Sequence, residues 1–177
     1  RNTPRNMREL FAPAYEHGDK EFVVFEGERW SFARLLRLAD SIAHQLVHRS
    51  GVRKGDRVAI AMRNYPEWMA AYIGITSAGA TVVPLNSWGR AEELEFALSD
   101  AGAKTVFCDR QRHDYLAPRA AALGLELIVA RAGDAPLPQG RRAAQHADHL
   151  LGRLAPQFRK RSVRREGHVG CHDHVRV

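Results

Sequence analysis

The sequence predicts an α/β protein with three layers, doubly wound around a mostly parallel sheet. Three observations lead there. The short runs "VAIA", "TVV", "TVFC" and "LELIV" are apolar with little alternation, as strands covered on both faces must be. Segments with helical spacing alternate with these runs from Arg57 to Ala130, the order that generates a parallel sheet with helices on its faces. Glycines stand at the helix ends, at Gly79, Gly102 and Gly124, where a left-handed cap residue is needed.

The elements follow in order. Residues 1–20 contain "MRELFAPAYEHGDK", a short amphipathic helix that breaks at His17-Gly18. Phe22 to Phe25, "FVVF", reads as a buried strand, which Gly27-Glu28 turns back into Arg29-Trp30. Ser31 is the N-cap of the next helix, its hydroxyl placed to accept an orphan N–H of the first turn. Phe32, Leu35, Leu36, Ala39, Ile42, Ala43, Leu46 and Val47 form one broad apolar stripe on that helix. Asp56, just before strand Arg57–Ala61, fixes the turn by accepting backbone N–H bonds. The next helix begins near Pro66, whose missing N–H costs nothing in a first turn, and it ends at Gly79. Strand Thr81–Pro84, helix Ala91–Asp100, strand Lys104–Cys108, helix His113–Leu123 and strand Leu125–Ala130 complete the series, with Pro118 an irregularity in the last helix.

Beyond residue 130 this pattern stops, which divides the chain into an α/β part, 1–130, and a tail, 131–177. Ala144, Ala147, Leu150, Leu151 and Leu154 share one side of a possible helix; the rest of the tail is polar, basic and histidine-rich and reads as irregular or disordered. The net charge of +7 sits there: residues 1–130 carry 17 Lys/Arg against 16 Asp/Glu, and residues 131–177 carry 10 against 4. A basic tail can bind nucleic acid by counterion release. Phe158 is its only aromatic residue, so the stacking platforms of single-strand binders are missing, and no specific nucleic-acid partner is expected. Cys108 and Cys171 are too few and too far apart for a disulfide framework. With no apolar run near the roughly 20 residues of a membrane span and no leader pattern, the cytoplasm is the expected location.

Reactive constellations are scarce. Gly79 and Gly102 read as helix caps rather than a phosphate loop. In "GHVGCHDHV", His168, Cys171, His172 and His174 make one knot of donors, whereas structural zinc sites use two separated pairs. Cys108 reads as a buried strand residue, Trp68 as core packing, and His44 and His48 as a partly exposed pair one helical turn apart. No catalytic, cofactor-binding or metal-binding residue is assigned.

In succession, "FVVFEGERWSFARLLRLADSIAHQL", "GVRKGDRVAIAMRNYPEW", "GITSAGATVVPLN" and "ELEFALSDAGAKTVFCD" resemble the opening of the AMP-forming acyl-CoA synthetase and ligase family, the adenylate-forming enzymes. The likeness covers roughly residues 5–130, and "VPLNSWGRAEELEFAL" looks most like the fatty-acid-CoA-ligase branch. The resemblance implies a two-step reaction in which a carboxylate attacks ATP to give an acyl-adenylate and pyrophosphate, and the thiol of coenzyme A then displaces AMP. It implies ATP, Mg2+ and coenzyme A as cofactors of the whole enzyme, and a carboxylic acid substrate, fatty or aromatic. The matching blocks are scaffold positions of the first α/β subdomain of the family's large domain.

The family's Ser/Thr/Gly-rich phosphate loop, its later motifs and its small C-terminal domain find no counterpart in this sequence. A truncated subdomain of this kind is expected to be inactive alone and to self-associate through uncovered apolar faces. Read one nucleotide later, the codons allowed for "GCHDHVRV" permit Ala-Ala-Thr-Thr-Met-Phe-Ala-Ser, similar to the strand that leads into that loop. The tail is therefore expected to be a frameshift product. Two other readings stand beside this one: a noncatalytic α/β module acting with a partner chain, and a basic-tailed nucleic-acid binder.

Overall fold

The computed structural model describes residues 3–132. The expectations for the tail, its helix, its histidine knot and its reading frame, lie outside the described residues.

The chain opens with α1 (Met7–Phe11), capped by the side chain of Asn6, and continues as a 3-10 turn over Ala12–His17 that stops at Gly18, φ +55°. β1 (Glu21–Phe25) and β2 (Glu28–Ser31) form an antiparallel hairpin separate from the main sheet. The main sheet is fully parallel: β3 (Arg57–Ala61), β4 (Thr81–Pro84), β5 (Thr105–Asp109) and β6 (Glu126–Ala130) lie in the order β4-β3-β5-β6. Its helices are α2 (Phe32–His48), α3 (Pro66–Ser77), α4 (Ala91–Ala101) and α5 (Arg110–Leu123).

Side-chain alternation along the central strands builds the layers. Val58, Ile60, Phe107 and Ile128 point to one face, where they meet Leu35, Ala39, Ile42 and Leu46 of α2 and Ala70, Ala71 and Ile75 of α3. Ala59, Ala61, Val106, Cys108, Leu127 and Val129 point to the other, against Leu94 and Leu98 of α4 and Leu116 of α5. Two apolar clusters on opposite faces of one sheet are the three-layer arrangement that the unalternating strands imply.

Local chemistry sets the boundaries. Ser31 Oγ accepts from the Arg34 N–H at 3.2 Å and starts α2. Asp56 accepts from the Arg53 N–H at 2.7 Å and shapes the turn into β3. Gly79, Gly102 and Gly124 take φ of +78°, +65° and +64° at the ends of α3, α4 and α5, a region closed to most side chains. Helix α5 runs through Pro118 and starts earlier than the spacing indicates, because Asp109 caps it by accepting from the Arg112 N–H at 3.0 Å.

One expectation is corrected. The strand "FVVF" is not buried: Phe22 is 40% and Val24 56% exposed. The run belongs to a two-stranded hairpin rather than to the covered sheet, so one of its faces looks outward. Phe22 covers part of its ring by stacking on Phe32 at a centroid distance of 4.1 Å.

Candidate functional site

β3 leads to β4 on one side, and the chain then crosses to β5 on the other side of β3. The strand order reverses between β3 and β5. In open parallel sheets, ligands bind in the crevice outside the strand C-termini at such a reversal. The loops at 62–65 and 85–90, the direct β5–α5 junction at 109–110 and residue 131 reach this edge.

Asp109 ends β5 and is 4% exposed. Its carboxylate accepts from the Arg63 N–H at 3.0 Å, the Arg112 N–H at 3.0 Å and Arg112 Nη1 at 3.2–3.3 Å. With these donors in place it is a framework anion and not a free base. Arg112, 3% exposed, also gives Nη1 to Gln111 Oε1 at 2.9 Å.

Above this buried pair, the Arg63 guanidinium lies over the Trp88 ring, with Cζ 3.6 Å from its centroid. Trp88 is 73% exposed, and its backbone N–H donates to Asn86 Oδ1 at 3.0 Å. A guanidinium stacked on an open indole offers a flat face and a positive charge together, which suits a planar or anionic group.

On the hairpin side of this edge stands Arg131. Its Nε donates to Glu67 Oε2 at 3.0 Å and its Nη1 to Glu28 Oε1 at 2.8 Å, with Phe25 and Tyr65 at its flanks. Arg131 holds the Glu28 carboxyl below the usual carboxylate range, helped by the Trp30 Nε1–H bond at 3.0 Å. The residue has φ +53°, left-handed without being glycine, so its side-chain contacts hold a backbone that would otherwise relax.

The residues singled out from the sequence are scattered. Trp68 is half-buried and stacks on Tyr72; of the other two tryptophans, Trp30 is core and Trp88 reaches the crevice. Cys108 is fully buried, and burial beside the Asp109 and Asp114 carboxylates pushes its thiol far up, so it is inert as a nucleophile. His44 and His48 lie on the outer face of α2, away from this edge. Among the described residues, no group of three or more His, Cys, Asp or Glu side chains is placed to hold a metal, and no helix is long and apolar enough to cross a membrane.

Sequence reasoning missed Arg63, Asp109, Arg112 and Arg131. The signal that could have found them is positional: Arg63, Asp109 and Arg112 stand at or within three residues of the C-terminal ends of β3 and β5, which flank the order reversal, and Arg131 directly follows β6.

A sequence model of the family described as AMP-binding enzyme matches residues 10–163. An acyl-CoA ligase, sidI, of Aspergillus fumigatus is 31% identical over 137 residues, 76% of this chain and 22% of that protein. A crotonobetaine/carnitine–CoA ligase of Salmonella paratyphi A is 33% identical over 113 residues, 60% of this chain and 22% of that protein. The crystal structure of ATP-bound MatB from Rhodopseudomonas palustris superposes with a TM-score of 0.57 at 31% identity, covering 70% of this chain and 25% of that one. The chain thus spans about a fifth of the length of these curated relatives.

Proposed function

The chain belongs to the AMP-binding enzyme family, and from that premise we propose that it serves an AMP-forming carboxylic acid–CoA ligase as the first α/β subdomain of the large domain. The whole enzyme would join a carboxylate to AMP at the expense of ATP, release pyrophosphate, and pass the acyl group to the thiol of coenzyme A. The observation that carries this reading is the ordered match over residues 10–163 together with the ligases that share it. Activation through a mixed anhydride is the chemistry such a reaction needs, because a carboxylate is a poor electrophile until its oxygen becomes part of a good leaving group.

The described residues do not fit the phosphates of ATP. Gly79, Gly102 and Gly124 close helices at their C-termini, whereas a phosphate cradle opens a helix with its N–H groups. Among the described residues, Asp109 is fully engaged and Cys108 is buried. No step is therefore routed through ATP, Mg2+ or coenzyme A. What residues 57–131 contribute is the Asp109–Arg112 brace and the Arg63–Trp88 platform at the rim of the crevice.

The test is pyrophosphate release by the chain with ATP, Mg2+, coenzyme A and a panel of fatty and aromatic acids. The expected result is no acid-dependent release from this chain alone. Reproducible acid-dependent turnover would show that the catalytic groups are present in it and overturn the reading of a bracing segment.

A further inference from the structure

Outside the sheet edge, one pair of strong metal donors stands together on the surface among the described residues. His44 and His48 lie on the outer face of α2 with both side chains exposed, their ring centroids 4.3 Å apart and their planes 41° to each other. We propose that this pair is a two-point chelating site for a late first-row divalent cation, taking Cu2+ ahead of Ni2+ and Zn2+.

The spacing brings the rings together. Residues four apart on a helix lie one above the other on the same face, and two histidines so placed are a recurrent way for a helix to present imidazole nitrogens to one ion. The scaffold is rigid. The inward face of α2 carries Leu35, Leu38, Ala39, Ile42 and Leu46, each at most 5% exposed, and Ser31 caps its start. The two rings can turn about their own side-chain bonds while the backbone beneath them stays fixed.

Donor chemistry sets the choice of ion. Imidazole suits Cu2+, Ni2+ and Zn2+ and discriminates against Mg2+ and Ca2+, which prefer oxygen. Asp40, one turn earlier, does not complete the set, since its Oδ1 accepts from the Tyr15 hydroxyl at 2.6 Å. Arg49 adjoins the pair and disfavours a cation, so two protein nitrogens act against one positive charge and water fills the remaining positions. The site is exchangeable, unlike a closed four-ligand structural centre. It is also independent of the Mg2+ that the proposed ligase reaction would use.

The test uses the whole chain. Because the sequence has 9 histidines, bulk stoichiometry is not diagnostic, and the readout has to be local. Cu2+, Ni2+, Zn2+ and Mg2+ are titrated while the His44 and His48 ring resonances and the thermal midpoint are followed. Ni2+ or Zn2+ should move both ring signals together and raise the midpoint; Mg2+ should do neither. H44Q or H48Q alone should weaken this response by about tenfold or more, because the second nitrogen binds at an effective concentration of order mM. A variant carrying H48Q with R49H keeps two histidines but breaks the spacing, and it should lose the response as well. Equal responses in wild type and in H44Q, H48Q or the H48Q/R49H variant would overturn the proposal, as would ring signals that move only with Mg2+.

Discussion

The backbone N–H of Arg63 donates to Oδ2 of Asp109 at 3.0 Å, joining the loop after β3 to the end of β5 at the point where the strand order reverses. The same carboxylate caps α5 and pairs with the buried guanidinium of Arg112. One side chain therefore sets the height of the Arg63 loop, the start of a helix and the charge balance under the crevice.

Asp109→Ala should destabilise the fold by about 3–5 kcal/mol, since it strands the Arg112 cation in a site nearly closed to water. Asp109→Asn should fall between wild type and alanine, because the amide still offers an acceptor to one backbone N–H. Urea unfolding measures both, and equal stability of the alanine variant and wild type would refute the role given to Asp109.

At Gly74, α3 lies directly against α2. A Cβ built there would lie 2.7 Å from Ile42 Cγ2 and 2.8 Å from the Ala39 carbonyl oxygen, and the latter is backbone that cannot swing aside. Alanine favours a helix over glycine by about 1 kcal/mol, but overpacking costs roughly 1–3 kcal/mol. Gly74→Ala should therefore lower the urea midpoint at constant m-value. A raised midpoint would mean that the two helices have room to part.

Arg131→Met keeps the stem against Phe25 and Tyr65 but removes both ion pairs. The Glu67 carboxylate, 8% exposed at the residue level, is then left without the guanidinium, a loss of about 1–3 kcal/mol for a buried acceptor without its donor. The Glu28 carboxyl should return towards its ordinary value, because the Arg131 bond is the main cause of its depression. Carboxyl titration by NMR reads the second effect independently of the first.

Asp40 is half-buried on α2, and desolvation raises its carboxyl above the usual range, with the Tyr15 hydroxyl bond pulling the other way. A carboxyl raised in the folded state contributes stability that is fully present below its unfolded value and is lost as pH rises through the folded value. The fold should therefore gain from Asp40→Asn at neutral pH, and the gain should vanish at pH values below the ordinary aspartate range. Denaturation curves at several pH values check the sign, and a variant that is less stable than wild type at neutral pH would reverse it.

Trp88→Ala should leave stability within about 0.5 kcal/mol, as an open surface position allows, while releasing the Arg63 guanidinium from its stack. Thermal unfolding checks the first statement. A large loss of stability would show that the pair is part of the framework and not a free platform at the rim.

Much of the fold was legible because it is written locally. Ser31, Asp56 and the three helix-ending glycines act within a few residues of themselves, and the unalternating strands report a sheet covered on both faces. The hairpin strand misled for the same local reason: "FVVF" is as apolar as the core strands, and only its pairing partner, β2, reveals that one face is open. Periodicity starts α5 late because Asp109 is both the last strand residue and the helix cap, a double role that spacing alone does not reveal. The crevice was less legible still. Arg63 meets Trp88 and Asp109 across three separate loops, and Arg131 reaches carboxylates 64 and 103 positions away. Such contacts follow from the order of the strands, which no single stretch of sequence contains.

The clasp of Arg131 on Glu28 has a consequence for the order of events at the ribosome. Glu28 of the hairpin leaves the ribosome ahead of the cation that ties it to the sheet, which is made 103 residues later. What is synthesised early is thus secured late. A nascent chain halted anywhere before Arg131 would carry a hairpin with no such latch, open to the partners that a finished protein would refuse.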